Sequence, residues 1–261
     1  MTNIVVLVKQ VPDTYSERKL NGSDHTLDRE SADAVLDEIN EKAVEEALKI
    51  KEAGEGEVTV ISVGPDRATD AIRKALSMGA DKAIHVSDEA LHGSDAIATA
   101  KVLAAAIGKV EGFDLVIAGN ESSDGRGGAI PAILAELLGL PQVTYVRELT
   151  VDGSTIKATR ETEDGLTHLE ASLPAIVSVG EKINEPRYPS FKGIMAAKKK
   201  PVQTLSLSDL GVSADEVGTA GATSAVIEFA KRPPRSAGTK ITDEGTGGEQ
   251  LVAYLATEKF V

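Results

Sequence analysis

In the first half of the chain, apolar and polar positions come in blocks. Four short runs, Ile4–Val8, Val58–Val63, Ala83–Val86 and Asp114–Ala118, are β-branched and apolar nearly throughout. Such runs predict strands buried on both faces of a parallel sheet. Between them apolar residues return at helical period. Asp33–Ala53 sets Val35, Leu36, Ile39, Ala43, Val44, Ala47 and Leu48 on one face, which predicts an amphipathic helix. Ala68–Met78 and Asp95–Ile107 predict two more, and Gly125–Leu138 a fourth, closed by Gly139 and Pro141. Strict strand–helix alternation predicts an α/β fold with a doubly wound, mostly parallel, Rossmann-like sheet and right-handed crossovers.

The pattern then changes. Val143–Thr150, Thr155–Arg160, Thr167–Leu173 and Ala175–Val179 read as strands, and Asp152-Gly153 and Asp164-Gly165 between them predict at least two hairpins. An irregular stretch follows Glu181 and ends in Lys198-Lys199-Lys200-Pro201, and two short elements come next, Val202–Leu207 and Ala225–Phe229. Lys231–Gly248 has the Pro, Gly, Ser and charge content of a flexible arm. Glu249–Lys259 reads as an amphipathic helix with Leu251, Val252 and Leu255 on one face. The expected division is a nucleotide-binding α/β domain over 1–230 and a C-terminal arm with its helix over 231–261. That helix either folds back on the domain or docks on a partner subunit.

Composition removes several classes of function. The 261 residues carry no Cys, no Trp, 4 Tyr and 4 Phe, and a net charge of −13. Without Cys there is no disulfide framework, thiolate nucleophile or iron–sulfur cluster. The negative charge argues against nucleic acid and anionic membranes as partners. No apolar run reaches the ~18 residues that a membrane span needs, and the opening residues lack the features of a secretory leader. The expectation is a cytoplasmic globular protein with no direct membrane insertion.

In an open α/β sheet ligands bind beyond the carboxyl ends of the strands, at the topological switch point. Four segments can converge there. The first is Lys9–Asp13 with the long loop behind it: about 24 residues separate strand from helix where two to six are usual, which suggests a ligand loop, or else surface decoration. The second opens the first helix at Asp37, Ile39 and Asn40; Asn40 interrupts the apolar row, so it is either solvated or lines a polar pocket. The third is Val63-Gly64-Pro65. The fourth and richest is Gly119-Asn120-Glu121-Ser122-Ser123-Asp124-Gly125-Arg126-Gly127-Gly128. Glycines before a helix can turn backbone N–H groups toward an anion, and Arg126 adds a cation; the alternative is a Gly-rich helix cap. The loop is neither a Walker A sequence nor GxGxxG.

Catalytic groupings are lacking. His25, His85, His92 and His168 are scattered, no metal-ligand spacing occurs, no Ser sits in a nucleophile elbow, and Glu45-Glu46 read as a solvated helix face. Glu181–Lys200 stands apart. It holds six cations against two carboxylates, +4, which leaves −17 on the rest of a chain whose net charge is −13. It also contains Tyr188 and Phe191, stiffened by Pro186 and Pro189. An aromatic on a stiff loop ringed by positive charge has the character of an interface anchor; the alternative is a core-docking Phe beside a solvated Lys run.

These residues carry a resemblance. Val8-Lys9-Gln10-Val11-Pro12-Asp13, Asn40–Leu48, Ala75–Asp81, Arg160–Gly165 and above all Ile183-Asn184-Glu185-Pro186-Arg187-Tyr188-Pro189-Ser190-Phe191-Lys192-Gly193-Ile194-Met195-Ala196-Ala197-Lys198-Lys199-Lys200 resemble the β subunits of the electron-transfer flavoprotein family. The likeness spans nearly the whole chain, and the composition is similar to that of bacterial, actinobacterial members.

The resemblance implies an electron carrier subunit, not an enzyme, that forms a heterodimer with an α subunit holding the redox-active FAD. It implies acyl-CoA and related dehydrogenases of fatty acid oxidation as donors, a membrane quinone oxidoreductase as acceptor, and AMP held structurally in this subunit. The family's nucleotide contacts map to Leu7, Lys9, Asp37, Ile39, Asn40, Val63 and the loop of Gly119, Asn120, Ser122, Ser123, Asp124, Gly125, Arg126, Gly127, Gly128, Ala129 and Ile130. Partner contacts map to Glu161, which meets the flavin domain, and to a recognition loop (183–200) with Arg187, Tyr188, Pro189, Ser190, Phe191, Lys192, Ile194 and Met195. Phe191 stands where the family places an anchoring Leu. The loop departs from the family's Gly-Lys-Gln-Ala-x-Asp-x-Asp at Asn120 and Arg126, so the nucleotide stays open between AMP and the second FAD of electron-bifurcating relatives. A reading from another class is an ATP-using α/β nucleotide-binding protein.

Overall fold

The computed structural model describes residues 2–261. The chain runs β1 (Ile4–Leu7), β2 (Gln10–Pro12), β3 (Ala34–Leu36), α1 (Glu38–Ala53), β4 (Val58–Val63), α2 (Thr69–Met78), β5 (Lys82–Val86), α3 (Ala96–Ile107), β6 (Leu115–Gly119) and α4 (Ile130–Leu138). It continues through β7 (Gln142–Asp152), β8 (Thr155–Thr162), β9 (Gly165–Ser172), β10 (Ala175–Val179), α5 (Phe191–Ala197), β11 (Val202–Leu205), the short α6 (Leu207–Leu210) and α7 (Gly218–Gly221), and α8 (Gly247–Thr257).

Nine strands form one sheet in the order β11-β5-β4-β1-β6-β10-β7-β8-β9. The first six are joined by parallel pairs, as is β10 with β7, while β7, β8 and β9 are antiparallel. Ile4 of β1 lies opposite Val58 on one side and Leu115 on the other. Successive side chains of a strand point to opposite faces, so Ile4 and Val6 pack with α1 and α2 while Val5 and Leu7 pack with α3 and α4. Burying a Leu or Ile such as Leu76 or Ile107 contributes on the order of 2–3 kcal/mol, and both are fully buried. The chain leaves β1 toward β4 and β5, then returns to β6 on its other side, so the switch point lies at the carboxyl ends of β1 and β6.

The doubly wound sheet and both hairpins are as expected; four local expectations are corrected. The helix expected from Asp33 begins at Glu38, because Ala34–Leu36 pairs antiparallel with Gln10–Pro12 and Asp37 caps the helix. The helix expected from Gly125 begins at Ile130, Arg126 having a left-handed φ of 49° that breaks helical geometry ahead of it. The stretch after Glu181 contains α5, and Ala225–Phe229 forms no regular element. The chain divides into two compact units, Met1–Ile227 with the sheet and Glu228–Val261 with α8. No helix among the described residues is long and apolar enough to cross a membrane.

Candidate functional site

Three of the four segments are stitched together at the switch point. Asp37 is fully buried at the N-cap of α1. Its Oδ1 accepts the N–H groups of Ile39 and Asn40 at 3.0 and 3.1 Å, and its Oδ2 accepts the Ser123 N–H at 2.7 Å. Three donors and the positive end of the helix compensate the buried carboxylate. Asn40, the polar interruption in the apolar row, is buried, and its Oδ1 accepts the Lys9 N–H at 2.7 Å. Lys9 Nζ reaches the third member, donating to Asp124 Oδ1 at 2.8 Å and Ser122 Oγ at 3.3 Å. Gly119 permits this closeness, since a Cβ there would stand 2.6 Å from Asn40 Nδ2.

Within the Gly-rich loop, four N–H groups are already engaged, at Asn120 (to Val179 O), Ser123, Gly125 (to Asp124 Oδ1) and Arg126 (to Ser122 O). At the loop's end no side chain caps α4 after Ala129, and the N–H groups of Ile130 and Ala132 lack helical partners, Pro131 carrying none, so this end can face an anion. Asn120 Oδ1 is buried without a hydrogen-bond partner among the described residues, an acceptor fit for a hydroxyl or amino group of a nucleotide. Gly125, Arg126, Gly127 and Ala129 are exposed on the rim and Gly128 and Ile130 are half-buried, Leu7 and Ile39 are buried beneath, and Val63 ends the adjacent β4.

Burial raises the Asp124 carboxyl, but the Lys9 charge, hydrogen bonds from Lys9 and Ser122, and the Arg29 charge together hold it below its ordinary value. Arg29, not foreseen from sequence, comes from the long loop. Its Nη1 donates to Gln10 O at 3.3 Å, Arg67 Nη1 donates to Arg29 O at 2.6 Å, and Gln10 Nε2 donates to Arg67 O at 2.7 Å. These bonds fasten the long loop beside the crevice and set the Arg29 charge near Asp124.

The expected partner-binding residues fall into two further groups, around Glu161 and around Phe191. Glu161 pairs with Lys182 at 3.1 Å and Arg147 at 3.4 Å, beside an open cleft of about 550 Å3 lined by Tyr145, Glu161, Thr162, Glu163 and Lys182. The Lys182 hydrogen bond foremost, with the Arg147 charge, holds Glu161 below its ordinary value. Ser190 caps α5 by accepting the Gly193 N–H at 3.0 Å. Tyr188 and Phe191 are 94 and 81% exposed; Lys192, Ile194 and Met195 are also exposed, and Pro189 half-buried. Arg187 turns inward onto Glu45 and Glu52. Glu45 and Glu46, expected on a solvated face, are buried, because Arg187 pairs with one and Asn184 and Lys49 with the other. Lys200 likewise points inward, onto backbone carbonyls of Leu76 and Ala80.

A model of the electron transfer flavoprotein domain matches residues 24–210. The chain is 62% identical to the electron transfer flavoprotein subunit beta of Mycobacterium tuberculosis over the full length of both. It is 42% identical to that of Thermoanaerobacterium thermosaccharolyticum over 86% of each chain. It is also 36% identical to the caffeyl-CoA reductase-Etf complex subunit CarD of Acetobacterium woodii over 98% of this chain and 97% of that one.

Proposed function

Because the chain belongs to the electron transfer flavoprotein family, among its β subunits, we propose that it is the nucleotide-holding, donor-docking half of a heterodimeric electron carrier. In this reading an α subunit binds the FAD, which supplies the redox chemistry. The β chain binds AMP, offers Glu161 to the flavin domain and offers the segment around Phe191 to a dehydrogenase. It works as a carrier component in the cytoplasm, taking electrons from acyl-CoA and related dehydrogenases and passing them to a quinone oxidoreductase. The C-terminal arm docks on the α subunit.

The observation that carries the nucleotide is the crevice at the carboxyl ends of β1 and β6. There Asp37 fixes the Gly-rich loop, Asn40 fixes Lys9, Asn120 Oδ1 offers a buried acceptor, and the first turn of α4 is free of a side-chain cap. A phosphate fits that helix end because the N–H groups and helix dipole both favour negative charge. Lys9 and Arg29 add positive charge, moderated by Asp124. Little aromatic surface is available to wrap a flavin ring, with 4 Tyr and 4 Phe in the whole chain, which favours a partner holding it.

A second reading, an electron-bifurcating subunit with a second FAD in the same crevice, is favoured by the likeness to CarD and by the departures at Asn120 and Arg126. Co-expression with the α subunit, followed by denaturation and mass measurement of the released nucleotides, separates the two. One FAD and one AMP per heterodimer is the expected result. Two FAD would establish the second reading, and no nucleotide from the β chain would overturn both.

A further inference from the structure

Segment 184–200 is fixed to the body of the protein by polar groups at both ends. At its start, Asn184 Nδ2 donates to Lys42 O at 3.0 Å and Glu46 Oε2 at 2.9 Å, and Lys42 Nζ donates back to Asn184 O at 2.7 Å. Arg187 then forks onto Glu45, Nε to Oε2 at 2.8 Å and Nη2 to Oε1 at 2.9 Å, while its backbone N–H also donates to Glu45 Oε2 at 3.1 Å. Its Nη1 and Nη2 also reach Glu52. Residues 42, 45, 46, 49 and 52 share one face of α1 by helical spacing. A carboxylate as buried as Glu45 is costly unless paired, and the pairing is the bidentate geometry that holds an Arg in one orientation.

At the other end, Lys200 Nζ donates to the carbonyls of Leu76 and Ala80, and Arg73 Nη1 to those of Ala197 and Lys200 at 2.7 and 2.9 Å. Between them α5 lies flat on the end of α2: a Cβ on Gly193 would stand 2.5 Å from Ser77 O. Tyr188, Phe191, Ile194 and Met195 are all exposed. Asn184, Arg187 and Lys200 thus face the body of the protein, while Tyr188, Phe191, Ile194 and Met195 face solvent among the exposed Glu185, Lys192, Lys198 and Lys199.

We propose that Glu45, supported by Glu52, is a positioning residue for donor docking: it fixes Arg187 and so presents Tyr188 and Phe191 as an apolar face formed before the donor arrives. The proposal rests on the reading of this segment as the docking surface. A preformed face avoids the ordering cost that a flexible loop meets on each association. The same helix carries Asp37 and Asn40 at its other end. Eight residues at 1.5 Å rise place Glu45 about 12 Å from Asp37 along the axis, so one rod positions both the crevice and the docking face.

The test uses the heterodimer with acyl-CoA-reduced acyl-CoA dehydrogenase, comparing Glu45→Gln, Arg187→Lys and Phe191→Ala with Glu170→Gln, an equal charge change on the exposed face of β9. Glu45→Gln is expected to raise the KM for the carrier roughly five- to twenty-fold with kcat little changed, and to speed amide exchange over residues 186–195. Glu170→Gln should do neither. Arg187→Lys keeps a cation but cannot fork, and should show the same split in smaller degree even if Glu45→Gln does not fold. Unchanged exchange and KM in both clamp variants, with a raised KM in Phe191→Ala, would overturn the proposal. If Phe191→Ala also leaves KM unchanged, the docking reading fails and the positioning claim falls with it, while faster exchange in Glu45→Gln would still report the clamp itself.

Discussion

Asp37 offers the sharpest test of how the crevice is held, because its two carboxylate oxygens do different work. Oδ1 caps α1 through Ile39 and Asn40, whereas Oδ2 holds the Gly-rich loop through Ser123. Asp37→Ala removes both. Loss of the cap costs about 1 kcal/mol, and loss of a charge-assisted bond that leaves a buried N–H without an acceptor costs about 2–3 kcal/mol. The sum, about 3–4 kcal/mol, corresponds to a fall of about 10 °C in the melting temperature of a chain this size. Asp37→Asn can keep an oxygen toward the helix and set its amide against the Ser123 N–H. It should cost about 2 kcal/mol, confined to the loop. Far-UV circular dichroism of the heterodimer during heating, paired with nucleotide titration, separates the two effects. Both variants should weaken nucleotide binding, but only Asp37→Ala should also loosen α1. Equal melting temperatures for the two variants, or a nucleotide affinity untouched in either, would refute the division of labour between the oxygens.

Other outcomes follow from the same geometry. Phe191→Ala should leave the melting temperature unchanged, because the ring is exposed, while weakening dehydrogenase binding by about 1–3 kcal/mol in titration calorimetry. Gly193→Ala places a Cβ 2.5 Å from a backbone oxygen, so α5 must shift off α2; a destabilisation of about 1–3 kcal/mol in denaturant unfolding is expected, with weaker docking. The Glu52 carboxyl lies below its ordinary value of 4.5, chiefly through the Arg187 hydrogen bond. A lowered folded value means that this contribution is complete above the ordinary glutamate range and lost as pH falls through the folded value. Protection of the amides over residues 186–195, relative to their intrinsic exchange rate at each pH, should therefore match at pH 7 and 6 and fall only under acid conditions below the ordinary glutamate value.

The parts of this molecule legible in its sequence are those governed by local pattern. β1, β4, β5 and β6 are apolar runs because both faces of the sheet are covered, and α1 shows its buried face in the spacing of Ile39, Ala43, Val44, Ala47 and Leu48. Strand order then directs three segments to the crevice. Features that depend on distant partners are not legible. Glu45 and Glu46 look like solvent-facing charges until Arg187 and Asn184, 142 and 138 positions away, are known to meet them. The helix α5 carries Gly193 and turns its apolar residues outward, so no amphipathic signal marks it. Ala225–Phe229 has strand-forming residues but no strand beside it, and β propensity expresses itself only against a neighbour. The β2–β3 ribbon pairs only three residues per strand, too few to show a period.

The central claim, that this chain docks a dehydrogenase and passes electrons as part of a flavin carrier, is tested most directly by rapid mixing. Acyl-CoA-reduced acyl-CoA dehydrogenase is mixed with the purified heterodimer while its flavin absorbance is followed. The account predicts flavin reduction at a rate that saturates with carrier concentration, with the half-saturation point raised by Phe191→Ala and by Glu45→Gln. A heterodimer whose flavin stays oxidised in the presence of the reduced dehydrogenase, or a chain that remains monomeric and flavin-free beside the α subunit, would contradict it.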